Sequence, residues 1–323
     1  MTRGMAGGLF GLLFLYWAAP AFAGPAVDQF EMKDLDSEPG AMQFQSQNAV
    51  STGLPQRGIA QPTPGHYAFD DNPVAKARYA LEMQMGITSW LRTRLGVEFE
   101  KSRLDDPGIL ARANAYEDLQ LASVQLEGVL VFKPVKNDGI GLGLLTEFDS
   151  AVGASGGGKQ LYIGPIVQAA SGPWTAIANL LLVQHFGSTG RLDTVPADRS
   201  VDFAYALQLQ YEFSKTWAVA AESYGTFDRI APSGSQDATL ALFGRFDQHR
   251  AGPVVYYRFD PDPSKPAKLT AAAAKGLSNG GDDDRPGAGG SKETSVSIGV
   301  GVLFGLNPNT PGLTYKLSLE YNF

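Results

Sequence analysis

Residues 201–213 read VDFAYALQLQYEF. Phe203, Tyr205, Leu207, Leu209, Tyr211 and Phe213 fall on one face of an extended chain, and Asp202, Ala204, Ala206, Gln208, Gln210 and Glu212 on the other. Side chains alternate across a strand with a period of two, so the stretch predicts a β-strand with one apolar and one polar face. The final residues repeat the pattern. Leu313, Tyr315, Leu317, Leu319, Tyr321 and Phe323 alternate with Thr314, Lys316, Ser318, Glu320 and Asn322.

Working outward, the same period predicts about twelve strands, with ten to fourteen as the range: 41–50, 75–86, 90–101, 118–132, 140–149, 159–170, 174–186, 201–213, 217–228, 246–259, 294–304 and 312–323. Residues 238–246 are left open between a separate strand and a loop. Tight links at 88–89, 134–139, 171–173 and 214–216 alternate with longer ones at 51–74, 102–117, 150–158, 187–200 and 229–245. Short turns on one side and long loops on the other are the pattern of a transmembrane barrel, with the turns periplasmic. Residues 260–293 break it with a Pro-, Gly- and Asp-rich low-complexity insert. Gly164-Pro165 and Gly252-Pro253 fall within strands and predict bulges or strand starts, because proline removes a ladder donor.

Alternation alone does not choose between a membrane barrel and a soluble sandwich. The aromatic and charged positions do. Trp90, Trp174 and Trp217 all sit at tight turns, where indoles settle at the lipid headgroups, and Phe99, Phe148, Phe203 and Phe227 lie toward the opposite ends. The polar face carries mid-strand charges that a dry core would not bury cheaply. The chain closes on Phe323, a terminal aromatic in a strand that resembles the C-terminal signal read by the barrel-assembly machinery. The expected fold is therefore all-β, a closed antiparallel transmembrane β-barrel over 41–323. In hydrocarbon every backbone polar group must be paired, so the sheet has to close.

The N-terminus agrees. Arg3, the apolar run LFGLLFLYWA at 9–18 and Ala21-Phe22-Ala23 predict a signal peptide over 1–23, cleaved after Ala23. Residues 24–40 predict a short periplasmic lead-in. The expected location is the bacterial outer membrane, with its lipids as neighbours. Of 323 residues 44% are hydrophobic and only 18% charged, and there is no cysteine, which excludes a thiol nucleophile and a Cys-ligated metal. A net charge of −7 offers no face for nucleic acid. No cofactor and no metal site is predicted.

The whole mature chain resembles the proteobacterial outer-membrane barrels described as transporters and related to the phenol-degradation-pathway barrel family. FEMKDLDSEPG at 30–40, HRAGPVVYYRF at 249–259, VGVLFGLN at 300–307 and LSLEYNF at 317–323 carry the resemblance. It implies a barrel of that kind, names no solute and assigns no residue a role. The insert at 260–293 departs from the compact form.

Parity points a set of side chains into the lumen. The bases are Lys76, Arg78, Arg92, Arg94, Arg258 and Lys316; the acids are Glu82, Glu98, Glu100, Glu127, Glu147, Asp149, Asp202, Glu212, Glu222 and Glu320. The bases group on the second, third, tenth and twelfth strands, which predicts a basic wall facing an acidic one and a charge-selective lumen. Passive passage of small solutes is the expectation. A closed structural or ligand-binding barrel with a salt-bridged lumen stands as the alternative. An outer-membrane lipid hydrolase is the third reading. It would need a lipid-facing Ser and His, for which only His185 near Ser188 offers a start, and no G-x-S-x-G is present, so no catalytic residue is assigned. Gly141, Gly143, Gly299 and Gly301 face inward, where small side chains relieve crowding. Loop 51–74 is a candidate constriction.

Overall fold

The computed structural model describes residues 30–53, 58–60, 67–69, 75–103, 118–135, 138–152, 158–186, 201–231, 247–259, 295–307 and 310–323. The expected signal peptide, Ser188 and the insert at 260–293 lie outside them. Twelve strands form one closed antiparallel barrel: β1 (Met42–Thr52), β4 (Ala75–Thr88), β5 (Leu91–Arg103), β6 (Gln120–Lys133), β7 (Gly139–Ala151), β8 (Lys159–Ser171), β9 (Trp174–Phe186), β10 (Val201–Glu212), β11 (Trp217–Ala231), β12 (Gln248–Phe259), β13 (Ser295–Gly305) and β14 (Leu313–Asn322). Each pairs with its neighbours in the chain, and β14 returns to β1. Phe323 N donates to Met42 O at 3.0 Å and Met42 N to Phe323 O at 3.4 Å, which closes the seam at its last residue. Within the 51–74 link, β2 (Gly58–Ala60) and β3 (Tyr67–Phe69) pair as a small hairpin that alternation did not predict.

The barrel is inside out relative to a soluble one. On β10, Leu209 is 50% exposed on the outer face while Gln210, beside it in sequence, is fully buried on the lumen face. Leu81, Leu95, Leu126, Ile163, Leu182, Val255, Val300 and Leu317 continue the apolar exterior around the wall. With an outer surface of this kind the chain can be solvated only by hydrocarbon, and strands of 10 to 15 residues are long enough to cross it.

The two rims differ. At the rim of tight turns Trp90, Trp174 and Trp217 are exposed, Trp174 lies 4.7 Å from Tyr211 and Trp217 4.7 Å from Tyr257 (ring centroids), and Tyr321 stacks on Phe323 at 5.5 Å. Toward the loop rim Phe203 and Phe227 are 6.0 Å apart. There Tyr205 crosses over Gly225 to bring its hydroxyl 3.0 Å from His249 Nδ1; a Cβ on Gly225 would meet the Tyr205 ring at 2.5 Å.

The two Gly-Pro pairs do something other than bulge. Pairing of β8 with β9 steps from Ile163–Leu182 to Ile166–Asn179, and that of β12 with β13 from Ala251–Phe304 to Val254–Gly301. Both partners skip two residues, so register is kept and the expected bulge is absent. Proline has no N–H to give, and the missing side chain of Gly164 or Gly252 lets the carbonyl of Leu180 or Val302 close against the strand. True register shifts fall elsewhere, at Gly86/Thr88, Glu98/Phe99, Val131/Lys133 and Val201/Phe203.

Candidate functional site

Eight strands close around a space that wall side chains fill, and sixteen or more leave a water channel. Twelve leave an interior between these. Here it is occupied by the chain itself. Residues 30–38, expected as part of a periplasmic lead-in, enter from the turn rim beside Gly40 and run through the lumen to the level of Tyr224 and Arg250. Phe30, Glu31, Met32, Lys33, Asp34 and Leu35 are all buried.

The segment is amphipathic, and so is its container. Phe30, Met32 and Leu35 belong to one apolar cluster with Val129, Val131, Leu145, Ile166, Ile177, Leu181 and Tyr224 of β6 to β11. Phe30 meets Tyr224 edge-on at 5.5 Å and lies under the Arg250 guanidinium at 4.5 Å. Three wall glycines make room. A Cβ on Gly141 would stand 2.7 Å from Leu35 Cδ1, one on Gly143 would strike Leu35 Cδ2, and one on Gly86 the carbonyl of Glu38. The inward glycines expected merely to relieve crowding are thus, on β7, a socket for Leu35.

Charges hold the other side. Arg92 pairs with Asp34, and Arg94 with Glu31 and, at 2.8 Å, with Glu82. Lys33 Nζ lies 2.6 Å from Glu127 and also pairs with Glu31. The main chain is held too. Lys33 N donates to Asn179 Oδ1 at 2.9 Å and Asn179 Nδ2 donates back to Lys33 O at 2.8 Å. Leu35 N donates to Gln168 Oε1 at 3.0 Å, and Arg92 donates to the carbonyls of Asp34 and Asp36 at 3.0 and 2.8 Å.

Two further groups of lumen residues stand apart from it. Toward the loop rim Lys76 pairs with Glu100 at 2.9 Å and Arg78 with Glu98 at 2.9 Å, between β4 and β5. Across the lumen Lys316 of β14 donates to Glu222 of β11 at 2.7 Å; Glu222 also accepts from Gln208 at 2.8 Å, Tyr224 at 2.6 Å and Tyr256. Glu147 is set beside Glu127 by the β6–β7 register, and Arg258 is buried on β12 opposite Ser297.

The expected basic wall facing an acidic one therefore takes a different form. Arg78, Arg92, Arg94 and Lys316 are each matched to a carboxylate, since a charge out of bulk water is costly without a partner. Sequence reading did not include Glu31, Lys33 and Asp34. The available signal was three apolar side chains set among acids in a segment too short to make a core of its own, opposite an inward Arg92 and Arg94 in want of anions.

His185 is turned into the lumen rather than toward lipid, buried, with Nε2 2.8 Å from Asp202 Oδ2. Among the described residues no three His, Asp or Glu side chains converge as metal ligands.

No family model matches the chain, and no curated protein does. Solved structures similar in fold include an outer membrane channel from Pseudomonas putida F1 (13% identity, 90% of this chain and 97% of that one, TM-score 0.48). Others are a Pseudomonas aeruginosa FadL homologue (10% identity, 88% and 90%, TM-score 0.37) and the monoaromatic hydrocarbon channel CymD (9% identity, 88% and 88%, TM-score 0.39).

Proposed function

We propose that the protein is a passive outer-membrane channel for small solutes, held shut in this state by residues 30–38. One observation carries the reading: the lumen is filled by a segment that is not part of the wall. A purely structural barrel fills its interior with the side chains of its own strands, which cannot leave without unfolding. Here the filling is tethered at one rim and bound through ion pairs and hydrogen bonds that water and solutes can replace. Arg92 and Arg94 then have two tasks: holding the segment when it is seated, and setting the charge of the passage with Glu82, Glu127 and Glu147 when it is not. The alternative of a closed, salt-bridged barrel describes the seated state alone.

Outer-membrane lipids cover the apolar exterior, and the C-terminal strand ending on Phe323 is the element for the assembly machinery to read. The signal peptide over 1–23 delivers the chain there. A lipid-facing hydrolase gains no support from His185, whose partner Asp202 lies on the lumen side.

The chain has no cysteine, so a single engineered pair is clean. Leu35→Cys with Gly143→Cys places two thiols at the socket. In planar bilayers the oxidised double variant should pass no current and the reduced form should conduct. A folded protein silent under both conditions would reject the channel.

A further inference from the structure

The way the wall grips the segment carries more than closure. Ion pairs and the Leu35 socket would be enough to seat a plug, yet the wall also binds its backbone. Asn179 has both ends of its amide on the same residue, the oxygen on Lys33 N and the nitrogen on Lys33 O. This is the exchange of bonds that an antiparallel strand makes, supplied by a side chain. Two residues on, Leu35 N donates to Gln168 Oε1. The spacing of two is that of an extended peptide. On either side of Leu35 the Arg92 guanidinium donates to the carbonyls of Asp34 and Asp36.

Asn179 and Gln168 are each 1% exposed and stand beside Ile166, Ile177 and Leu181. An amide in such a place is costly unless its donor and acceptor are both used. For Asn179 the peptide group of Lys33 uses them. Main-chain groups are common to every peptide, so a wall that addresses them is complementary to a class of ligand and not only to one sequence.

We propose that the lumen is a binding site for an extended peptide main chain, filled in cis by residues 30–38, and that it takes short extended peptides with acidic and apolar side chains when the segment is out. The inference deepens the channel reading and rests on the segment being displaceable. The acidic side chains answer to Arg92 and Arg94, the apolar ones to the β6–β11 cluster, and the backbone to Asn179 and Gln168.

The test uses the full chain with Asp34→Arg and Leu35→Arg, which sets like charge against Arg92 and overfills the socket. If that pair does not fold, Asp34→Asn with Leu35→Ser replaces it. The probe is a synthetic peptide, FEMKDLDSE, labelled for fluorescence anisotropy, and the same peptide methylated on the backbone nitrogens of Lys33 and Leu35. The expected result is saturable binding of the first and binding weaker by about ten-fold or more for the second, because two buried hydrogen bonds are lost. Block of bilayer current should follow the same order. No binding, or equal binding of the two peptides, would overturn the proposal. Selective binding by a variant that passes no current would keep the peptide site and remove the channel, so the two failures are distinct.

Discussion

Leu35 occupies the space that a side chain on Gly141 would claim: a Cβ there would lie 2.7 Å from Leu35 Cδ1. The pair links two parts of the chain that share no strand, and it ties the seating of the segment to the absence of an atom in the wall.

Leu35→Ala should therefore loosen the segment while leaving the barrel closed, since it empties the socket and changes no wall residue. Lys33 is buried in the native protein and sheltered from trypsin. The variant should be cut after Lys33 at least about ten-fold faster, as follows when a protected site becomes open at a cost of a little over 1 kcal/mol. Cleavage at the native rate, with folding intact, would show that the socket does not hold the segment.

Arg92→Ala with Arg94→Ala should raise conductance and strengthen preference for cations. The two guanidinium groups bind Asp34 and Glu31, so their loss weakens the seat, and it leaves Glu82 and Glu127 to set the field of the lumen. Reversal potentials in a salt gradient measure the second effect directly. A shift toward anions would contradict the assignment of these side chains to the passage.

Lys316→Ala leaves Glu222 buried without its cation. Removing one partner of a buried pair costs about 3–5 kcal/mol. The midpoint of urea unfolding in detergent should fall accordingly, and adding Glu222→Gln should restore a large part of the loss. Equal stability of single and double variants would mean that the pair is not the feature at stake.

Gly252→Ala should destabilise the barrel more than Gly299→Ala. The new methyl at 252 meets a backbone carbonyl, Val302 O, whereas at 299 it meets side-chain atoms of Ser318 and of the Tyr256 ring, which can shift without moving a strand. Overpacking of this kind costs about 1–3 kcal/mol when nothing yields. Thermal melting of the two variants side by side decides the order.

The wall was legible because lipid makes alternation unambiguous. The expected strand at 201–213 is β10, Val201–Glu212, and that at 312–323 is β14, Leu313–Asn322, since each outward position must be apolar and each inward one is free to be polar. The small hairpin β2–β3 was not legible, with only three residues in each strand to show a period. Nor was the fate of residues 30–38. Phe30, Met32 and Leu35 break the period of two, and what buries them is distant in the chain: Gln168, Asn179 and Tyr224. His185 shows the limit of parity where little flanks it. Its inward turn follows from the β9 register with β10, which sets it on the side of Asp202.

At its C-terminal end the segment runs into β1, where Gly40 N donates to Gly86 O at 2.8 Å. Between residues 30 and 38 it carries four acids, Glu31, Asp34, Asp36 and Glu38, against the single base Lys33, a formal charge of −3. A tethered anion inside a membrane is a gating charge. Each elementary charge moved through the full potential is worth about 2.3 kcal/mol per 100 mV. A potential that draws anions toward the loop rim presses the segment into its seat, and the opposite sign pulls it back toward its tether. The barrel is thereby polarised: the same voltage magnitude applied in the two directions acts on one closed state with opposite effect.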